Sequence, residues 1–526
     1  MKSILLIIST ILVISTITYA QDSIPWHHQA PNELQSQGIS LQAGLDYMKS
    51  KGKTQTTVIV AVIDSGIDTL HEDLRPKLWH NPKEIPYNNI DDDGNGYIDD
   101  YYGWNFIGGA DGRNVNGETI EVVRFYRENK DAFENKTKSD IPKADRAKYK
   151  LWLKAESEVT SEIKELRENK QMFDEWRNAL EFSLALIKQR LGTDTLTPEM
   201  VEGFEPQNDN ETTMKQLVLG TYEQKLTIED IDEALKYFNG QLDKGYNLDY
   251  DPRGDIIGDN VDDINDTIYG NSDVQAEGYS HGTGVSGIIG AVRNNGIGTQ
   301  GIVDSVQLMI LRVVPGGDER DKDVALAIRY AVKNGATIIN GSFGKSYSKH
   351  PEFVQDAIQY ALDNNVLFIH AAGNSAENND KITHYPTPTK SQRAIWIDVG
   401  ASSINNDQGR LAANFSNYGR KTVDIFAPGV NIYSTSPNNN YGSSSGTSDA
   451  SPVVAGVAAL VKSYYPEITA QQLRKVLLES SVKHKNVKTY LPGSDKKEVK
   501  FKKLSTTAGI VNAYEALKMA EELLSE

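Results

Sequence analysis

The sequence has 526 residues, of which 39% are hydrophobic and 24% charged, and it contains no cysteine. This balance is typical of a globular protein and excludes a disordered, collagen-like or disulfide-stapled chain. The net charge of −17 argues against nucleic acid or an anionic membrane as a partner. Because thiol chemistry is excluded, any catalysis must use hydroxyl, imidazole, carboxylate or amide groups.

The N-terminus has the pattern of a signal peptide. Met1 and Lys2 precede an apolar run over residues 4–17, and small residues lead to a cleavage site after Ala20. The run is short for a membrane span, although a retained anchor stays open as the alternative. We therefore predict a signal peptide at 1–20 and a secreted or periplasmic protein that has no membrane anchor in its mature form and is a monomer.

Short β-branched runs alternate with segments of helical period after residue 57. This alternation predicts an α/β fold with a mainly parallel sheet, whose strands are covered on both faces. The predicted strands are 58–63, 306–314, 337–339, 366–369, 395–399 and 423–426. The predicted helices are 324–332, 353–362, 450–464, 470–478 and 511–524.

A region rich in lysine and glutamate, residues 113–250, interrupts this rhythm. Apolar residues recur about every 3.5 positions from Trp152 to Leu191, which predicts one long helix that packs through this stripe. Gly192 is expected to end that helix, and Thr227 with Asp230 forms a capping-box pattern that opens another. We interpret the region as an all-helical subdomain inserted into the α/β domain of residues 21–526.

Three segments place a functional side chain at the end of a predicted element. Asp64 directly follows the strand predicted at 58–63, and His281 stands among small residues where an apolar helical run begins. Ser448 lies within Gly-Thr-Ser-Asp-Ala-Ser-Pro, residues 446–452, just before a predicted helix. Because backbone N–H groups point outward at a helix N-terminus, that of Ser448 would point toward a developing oxyanion.

Together these segments resemble the signatures of the subtilisin-like serine proteases, the subtilases of peptidase family S8. The family has a strand ending in Asp-Ser/Thr-Gly, then His-Gly-Thr, then Gly-Thr-Ser-x-Ala-Ser/Ala-Pro, in that order. Residues 371–374, Ala-Ala-Gly-Asn, and 338–344, Ile-Ile-Asn-Gly-Ser-Phe-Gly, match two further family segments in the expected places. The chain resembles a bacterial, secreted subtilase with a large helical insertion.

The resemblance implies a subtilisin-like three-layer fold and a serine endopeptidase that hydrolyses protein or peptide substrates through an acyl-enzyme intermediate, with no cofactor for catalysis. The residues it implies are a catalytic triad of Asp64, His281 and Ser448, an oxyanion-hole amide at Asn374, and a substrate-binding segment of Ser342, Phe343 and Gly344. Two other classes stay open: a catalytically silent peptide-binding protein, and a calcium-dependent adhesion module.

Two features depart from the family pattern. Asp449 stands directly after the predicted nucleophile, where relatives commonly have methionine. A carboxylate there raises the cost of a neighbouring oxyanion, so we expect an altered rate. His281 follows Asp64 by 217 residues, a spacing that the helical insertion accounts for.

An acidic loop resembles the first nine positions of an EF-hand calcium loop. Its candidate ligands are Asp91, Asp93, Asn95 and Asp99, and these predict a structural calcium ion. Tyr102 replaces the usual glutamate, which leaves Asp99 or Asp100 to complete the shell, and a solvated turn is the alternative. A second acidic cluster, residues 255–266, is either another cation site or a solvated loop.

Overall fold

The computed structural model describes residues 25–31, 37–404 and 409–525. The predicted signal peptide at 1–20 lies outside these residues. The described chain divides into two compact units: a sheet unit of residues 25–121 and 251–525, and a helical unit of residues 122–250. Among the described helices, none combines the length and the apolar character that crossing a membrane requires.

The strands are short and mostly buried. In chain order they are β1 Val58–Asp64, β2 Gly103–Asn105, β3 Val306–Arg312, β4 Ile338–Gly341, β5 Leu367–Ala371, β6 Trp396–Ser402, β7 Ile425–Pro428, β8 Ile432–Ser436, β9 Asn440–Ser444, β10 Val482–Lys483, β11 Lys488–Tyr490, β12 Glu498–Lys500 and β13 Gly509–Ile510. Six of them match the strands predicted from the sequence to within three residues at either end.

Nine strands form one sheet in the order β10-β13-β7-β6-β5-β4-β1-β3-β2. Every neighbouring pair is parallel except β10 with β13. The remaining strands form two antiparallel pairs, β8 with β9 and β11 with β12. The predicted mainly parallel sheet is therefore confirmed.

The α-helices of the described residues are also given in chain order. They are α1 Leu41–Ser50, α2 Glu121–Phe133, α3 Arg146–Leu191, α4 Pro198–Glu202, α5 Asp209–Glu223, α6 Ile228–Gly240, α7 Arg253–Ile256, α8 Ser280–Gly290, α9 Asp321–Lys333, α10 Pro351–Asp363, α11 Thr447–Tyr464, α12 Ala470–Glu479 and α13 Ala513–Ser525.

The core of the sheet unit lies between the sheet and the helices packed around it. All residues of β4 and β5, and all but one in each of β1, β3 and β6, are buried. Successive side chains of a strand point to opposite faces, so both faces of these strands must be covered. Helix α11 is buried along most of its length, since its small and branched side chains lie against the sheet. The predicted α/β class with helical layers around a central sheet is confirmed.

The helical unit is built around α3, a single helix of 46 residues. The apolar stripe on α3 supplies Leu166, Phe173, Leu180 and Ile187 to a core that is completed by α4, α5 and α6. Gly192 ends α3 in the left-handed conformation, at φ 63°, a position that suits glycine. The capping box of Thr227 and Asp230 at the start of α6 is confirmed.

Candidate active site

The carboxyl ends of three neighbouring strands bring the predicted catalytic segments together. Strands β5, β4 and β1 are adjacent and parallel, so their carboxyl ends share one edge of the sheet. Asp64 is the last residue of β1, Ser342 directly follows β4, and Asn374 follows β5 by three residues. Crevices at the carboxyl ends of parallel strands are the usual binding sites of such sheets.

Asp64 and His281 are joined by a hydrogen bond. His281 lies at the start of α8 and its Nδ1 is 2.8 Å from Asp64 Oδ1. Because a carboxylate only accepts hydrogen bonds, Nδ1 carries the proton, and Nε2 is the basic nitrogen of the neutral ring. The Asp64 charge raises the pKa of His281 to about 9, because it stabilises the imidazolium form.

Ser448 lies in the first turn of α11, after Gly446 in extended backbone at the N-cap. Its Oγ donates to the carbonyl of Ser342 at 3.3 Å, rather than to His281. Catalytic hydrogen bonds are often made only when substrate is present, so this geometry is compatible with a triad.

The amide of Asn374 is held in one orientation by Thr447. Asn374 Oδ1 accepts hydrogen bonds from the Thr447 backbone N–H at 2.8 Å and from its hydroxyl at 2.9 Å. A methyl group placed on Gly446 would lie 3.5 Å from Asn374 Nδ2 and 3.5 Å from Ser448 N. The two donor nitrogens therefore lie near one point beside the nucleophile, where an oxyanion hole needs them. Sequence reasoning missed the positioning role of Thr447.

Asp449 faces the same point. The methyl position on Gly446 lies 3.3 Å from Asp449 Oδ2, and the Ser444 hydroxyl donates to Oδ1 of the same carboxyl group. Burial raises the pKa of Asp449 to about 6, while the Ser444 hydrogen bond and the His281 charge oppose this shift. The ionised carboxylate also contributes to the raised pKa of His281. Asp449 thus favours the imidazolium but faces the space where an oxyanion would form.

The predicted substrate-binding segment, Ser342 to Gly344, lies between two cavities. A cavity of about 290 Å³ includes His281 in its lining, and a cavity of about 250 Å³ includes Ser448 and Asn374. The segment lines both cavities, as a segment that binds substrate along its length would.

The acidic loop brings together part of the predicted calcium ligands. Oxygen atoms of Asp91 and Asp93 lie within 4.8 Å of one another and of a carboxylate oxygen of Glu84. Glu84 precedes the loop and was not identified from the sequence. Its Oε1 accepts the backbone N–H groups of Asp92 and Asp93, and its Oε2 is buried with no hydrogen-bond partner in the described chain.

The other two predicted ligands, Asn95 and Asp99, form hydrogen bonds with other groups of the chain. The side chain of Asn95 accepts from the Tyr97 backbone and donates to Asp100. Asp99 has a left-handed backbone, at φ 54°, and its carboxylate accepts the backbone N–H groups of residues 88 and 89. The side chains of Asn95 and Asp99 thus stabilise the loop itself, as those of Asp91 and Asp93 also do by accepting the backbone N–H groups of residues 95 and 96. Asp99 lies outside the group of three carboxylates, and the assignment of Asn95 and Asp99 as calcium ligands stays a prediction.

The second acidic cluster is paired with basic side chains of the sheet unit. Asp259 lies 2.7 Å from Arg253 and 2.8 Å from Lys322, and all three side chains are almost fully buried. Asp262 is bonded to Lys349 and Asp255 to Arg113 at the surface. Three of the carboxylates in this cluster are therefore neutralised by basic side chains of the chain itself.

The fold and the grouping of Asp64, His281 and Ser448 are those of the serine peptidases that use an aspartate, a histidine and a serine. The family model of the subtilases, Peptidase_S8, matches residues 55–509. The chain belongs to the subtilase family, a family of serine-type endopeptidases.

Several curated relatives show the same family resemblance. The chain is 34% identical over 254 residues to the major intracellular serine protease of Bacillus subtilis (strain 168), a match that covers 48% of this chain and 75% of that protein. It is 36% identical to subtilisin DY of Bacillus licheniformis, over 38% of this chain and 70% of the relative. The match to alkaline elastase YaB of Bacillus sp. (strain YaB), at 38% identity and 38% of this chain, spans half of that relative's length.

Among solved structures, a protease of Pseudoalteromonas arctica PAMC 21717 matches 46% of this chain and 70% of its own chain, at 30% identity and a TM-score of 0.37. The family assignment rests on the sequence matches.

Proposed function

We propose that this chain is a secreted serine endopeptidase that cleaves protein or peptide substrates through an acyl-enzyme intermediate. The observation that carries the proposal is the hydrogen bond between Asp64 and His281 at the strand ends where Ser448 begins α11. The predicted signal peptide supports export, and we propose that the mature protein acts as a monomer without a membrane anchor.

In the proposed reaction, His281 Nε2 takes the proton of Ser448 Oγ as that oxygen attacks the substrate carbonyl carbon. Asn374 Nδ2 and Ser448 N donate to the resulting oxyanion. The imidazolium then gives its proton to the leaving amine, and the C–N bond breaks to leave an ester on Ser448. A water molecule, deprotonated by His281, hydrolyses this ester and restores the serine.

The test is reaction of the purified mature chain with a fluorophosphonate across a range of pH. We expect a covalent adduct on Ser448, mapped by mass spectrometry. The labelling rate should rise with pH toward about 9, because the raised pKa of His281 keeps the ring protonated, and unable to act as a base, at lower pH. A chain that remains unlabelled at every pH would instead be the catalytically silent peptide-binding protein.

We infer further that the acidic loop binds a structural calcium ion through Asp91, Asp93 and Glu84. Carboxylate oxygens are the ligands that calcium prefers, and the loop gathers three carboxyl groups. The buried, unpartnered Oε2 of Glu84 supports the assignment, because an isolated buried acceptor is costly unless a cation or donor reaches it. When bound, the ion would stabilise the loop, and it has no part in the peptide hydrolysis.

Calcium is expected to raise the melting temperature of the wild-type chain relative to the same protein in chelator. Binding to the native state alone contributes about 2.7 kcal/mol when the free ion is at 100 times its Kd. The Glu84→Gln variant should lose most of this rise. Asp99→Asn is the matched control, since Asp99 accepts backbone N–H groups as Glu84 does but lies outside the group of three carboxylates, and it should keep the rise. Superimposable melting curves with calcium and with chelator would show that the loop binds no calcium and is a solvated turn.

A further inference from the structure

The cavity beside Ser448 is placed to receive a substrate side chain on the acyl side of the cleaved bond. It measures about 250 Å³ and is lined by Ser448 and Asn374 but not by His281. Asn374 and Ser448 hold the carbonyl group of P1, the residue whose carbonyl carbon is attacked, so the P1 side chain begins beside these two residues. We therefore assign the cavity that they line to the side chain of P1.

A buried histidine lines this cavity. His370 lies in β5, and its side chain is only 4% exposed. Its Nδ1 is 2.9 Å from Asp398 Oδ1, whereas its Nε2 is buried and has no hydrogen-bond partner among the described residues. A methyl group placed on Gly344, which lines the same cavity, would lie 3.6 Å from Nε2. The unpartnered nitrogen thus lies close to the part of the cavity wall that Gly344 forms.

Three other polar side chains that line the cavity, those of Lys345, His384 and Asn417, are engaged with partners. Lys345 Nζ lies 2.9 Å from Asp321, and His384 Nε2 lies 2.8 Å from Glu377. Asn417 donates to a backbone carbonyl and accepts from two backbone N–H groups. His370 Nε2 differs from these three groups, because it is a buried polar atom with no hydrogen-bond partner among the described residues.

The hydrogen bond to Asp398 fixes the chemistry of Nε2. Since the carboxylate only accepts, Nδ1 carries a proton, and Nε2 of the neutral ring is a hydrogen-bond acceptor. In the protonated ring Nε2 becomes a donor. A primary amide matches both states, because its NH₂ group donates and its carbonyl accepts. A hydrocarbon side chain matches neither state and leaves the nitrogen unsatisfied.

Charge in the surroundings disfavours the ionised alternatives. The charged groups around the cavity are paired with one another: Lys345 with Asp321, His384 with Glu377 and His370 with Asp398. An ionised P1 side chain would therefore leave water without a counter-charge of its own, which is costly. An uncharged polar side chain avoids this cost.

We propose that His370 is a specificity-determining residue and that this protease prefers a P1 residue with an amide side chain, asparagine or glutamine. The proposal rests on the endopeptidase function proposed above. The His370 imidazole binds the P1 amide through Nε2, and Asp398 holds the ring in the orientation that directs Nε2 into the cavity.

The test compares peptide substrates that differ only at P1. Asparagine and leucine have nearly the same shape, so their kcat/KM ratio isolates the amide contact. We expect the asparagine peptide to be cleaved about 10 to 100 times more efficiently, the range that corresponds to leaving one buried polar group unsatisfied. Glutamine against methionine gives a second pair with a longer side chain. A wild-type preference for leucine and methionine would overturn the proposal.

The His370→Leu variant should bring the asparagine-to-leucine ratio close to one, mainly because the leucine peptide is cleaved faster. His484→Leu is the matched control, since His484 also has a buried Nε2 without a partner in the described chain but lies outside the cavity lining. It should keep the wild-type ratio. An unchanged ratio in a His370→Leu enzyme that still reacts with fluorophosphonate would assign the selectivity to another group.

The fluorophosphonate reaction separates the two proposals. If the wild-type chain forms an adduct and cleaves peptides without amide preference, the inference about His370 is wrong and the endopeptidase function stands. If the wild-type chain forms no adduct and cleaves none of the peptides, both proposals are overturned.

Discussion

Replacing Ser448 with alanine is expected to lower kcat for peptide hydrolysis by about 10⁶-fold, the loss that follows removal of the nucleophile from a triad acting as a unit. The hydroxyl is the only group on this side chain that can form the acyl-enzyme. Because the residual rate then depends only on the oxyanion donors and on substrate binding, it should be the same with and without fluorophosphonate.

The fold should survive this substitution. Ser448 Oγ makes one hydrogen bond, to Ser342 O at 3.3 Å, and alanine is a good residue for a helix. Thermal melting of the variant should therefore stay close to wild type. Ser463→Ala, in the same helix, is the matched control, since its hydroxyl also donates to a backbone carbonyl, that of Leu460. The control should hydrolyse peptides at the wild-type rate. A Ser448→Ala enzyme whose kcat stays within tenfold of the wild-type value would show that Ser448 is not the nucleophile.

The sheet could be predicted because its strands are covered on both faces. Continuous apolar runs such as residues 58–63 and 366–369 have no polar face, so they read as central parallel strands rather than surface strands. The order of the strands could not be predicted in the same way. That β4 lies between β1 and β5 depends on contacts between residues far apart in the chain.

The site was predictable where a residue stands in a local motif. Asp64, His281 and Ser448 each follow or begin an element that the sequence pattern indicates. The roles of Glu84 and His370 were missed for opposite reasons. Glu84 precedes the loop and reaches it only through the fold. His370 falls inside an apolar strand, and the alternation of side chains along a strand does not show that this residue lines the cavity with Ser448 and Asn374.

The acidic loop shows the limit of a motif carried over from another fold. The EF-hand pattern assigns ligands by position, and this assignment is consistent with the structure at Asp91 and Asp93. At Asp99 the left-handed backbone directs the carboxylate to backbone N–H groups of the loop. A positive φ at a residue other than glycine is a local strain that the sequence pattern does not reveal. The spacing was informative, but the direction of each side chain required the structure.

Replacing Asn374 with alanine is expected to lower kcat by about 10²- to 10³-fold with little change in KM, because an oxyanion-hole donor acts mainly on the transition state. The geometry supports this division. Thr447 orients the amide through two hydrogen bonds to Oδ1. The Nδ2 atom then lies 3.5 Å from the methyl position on Gly446, which is also 3.5 Å from Ser448 N. The carbonyl of the bound substrate places less charge there than the tetrahedral oxyanion does, so the amide contributes more as the reaction proceeds.

A second substitution separates the donor from the packing of this side chain. Asn374→Asp keeps the size and the Oδ1 acceptor for Thr447, but it replaces the Nδ2 donor with a carboxylate oxygen. Its kcat should fall at least as far as that of the alanine variant, because a second negative charge would then face the oxyanion together with Asp449. Steady-state kinetics with one peptide substrate measure kcat and KM for all three enzymes. A higher KM at unchanged kcat in Asn374→Ala would show that Asn374 binds the substrate in its ground state and that the oxyanion is stabilised by other donors.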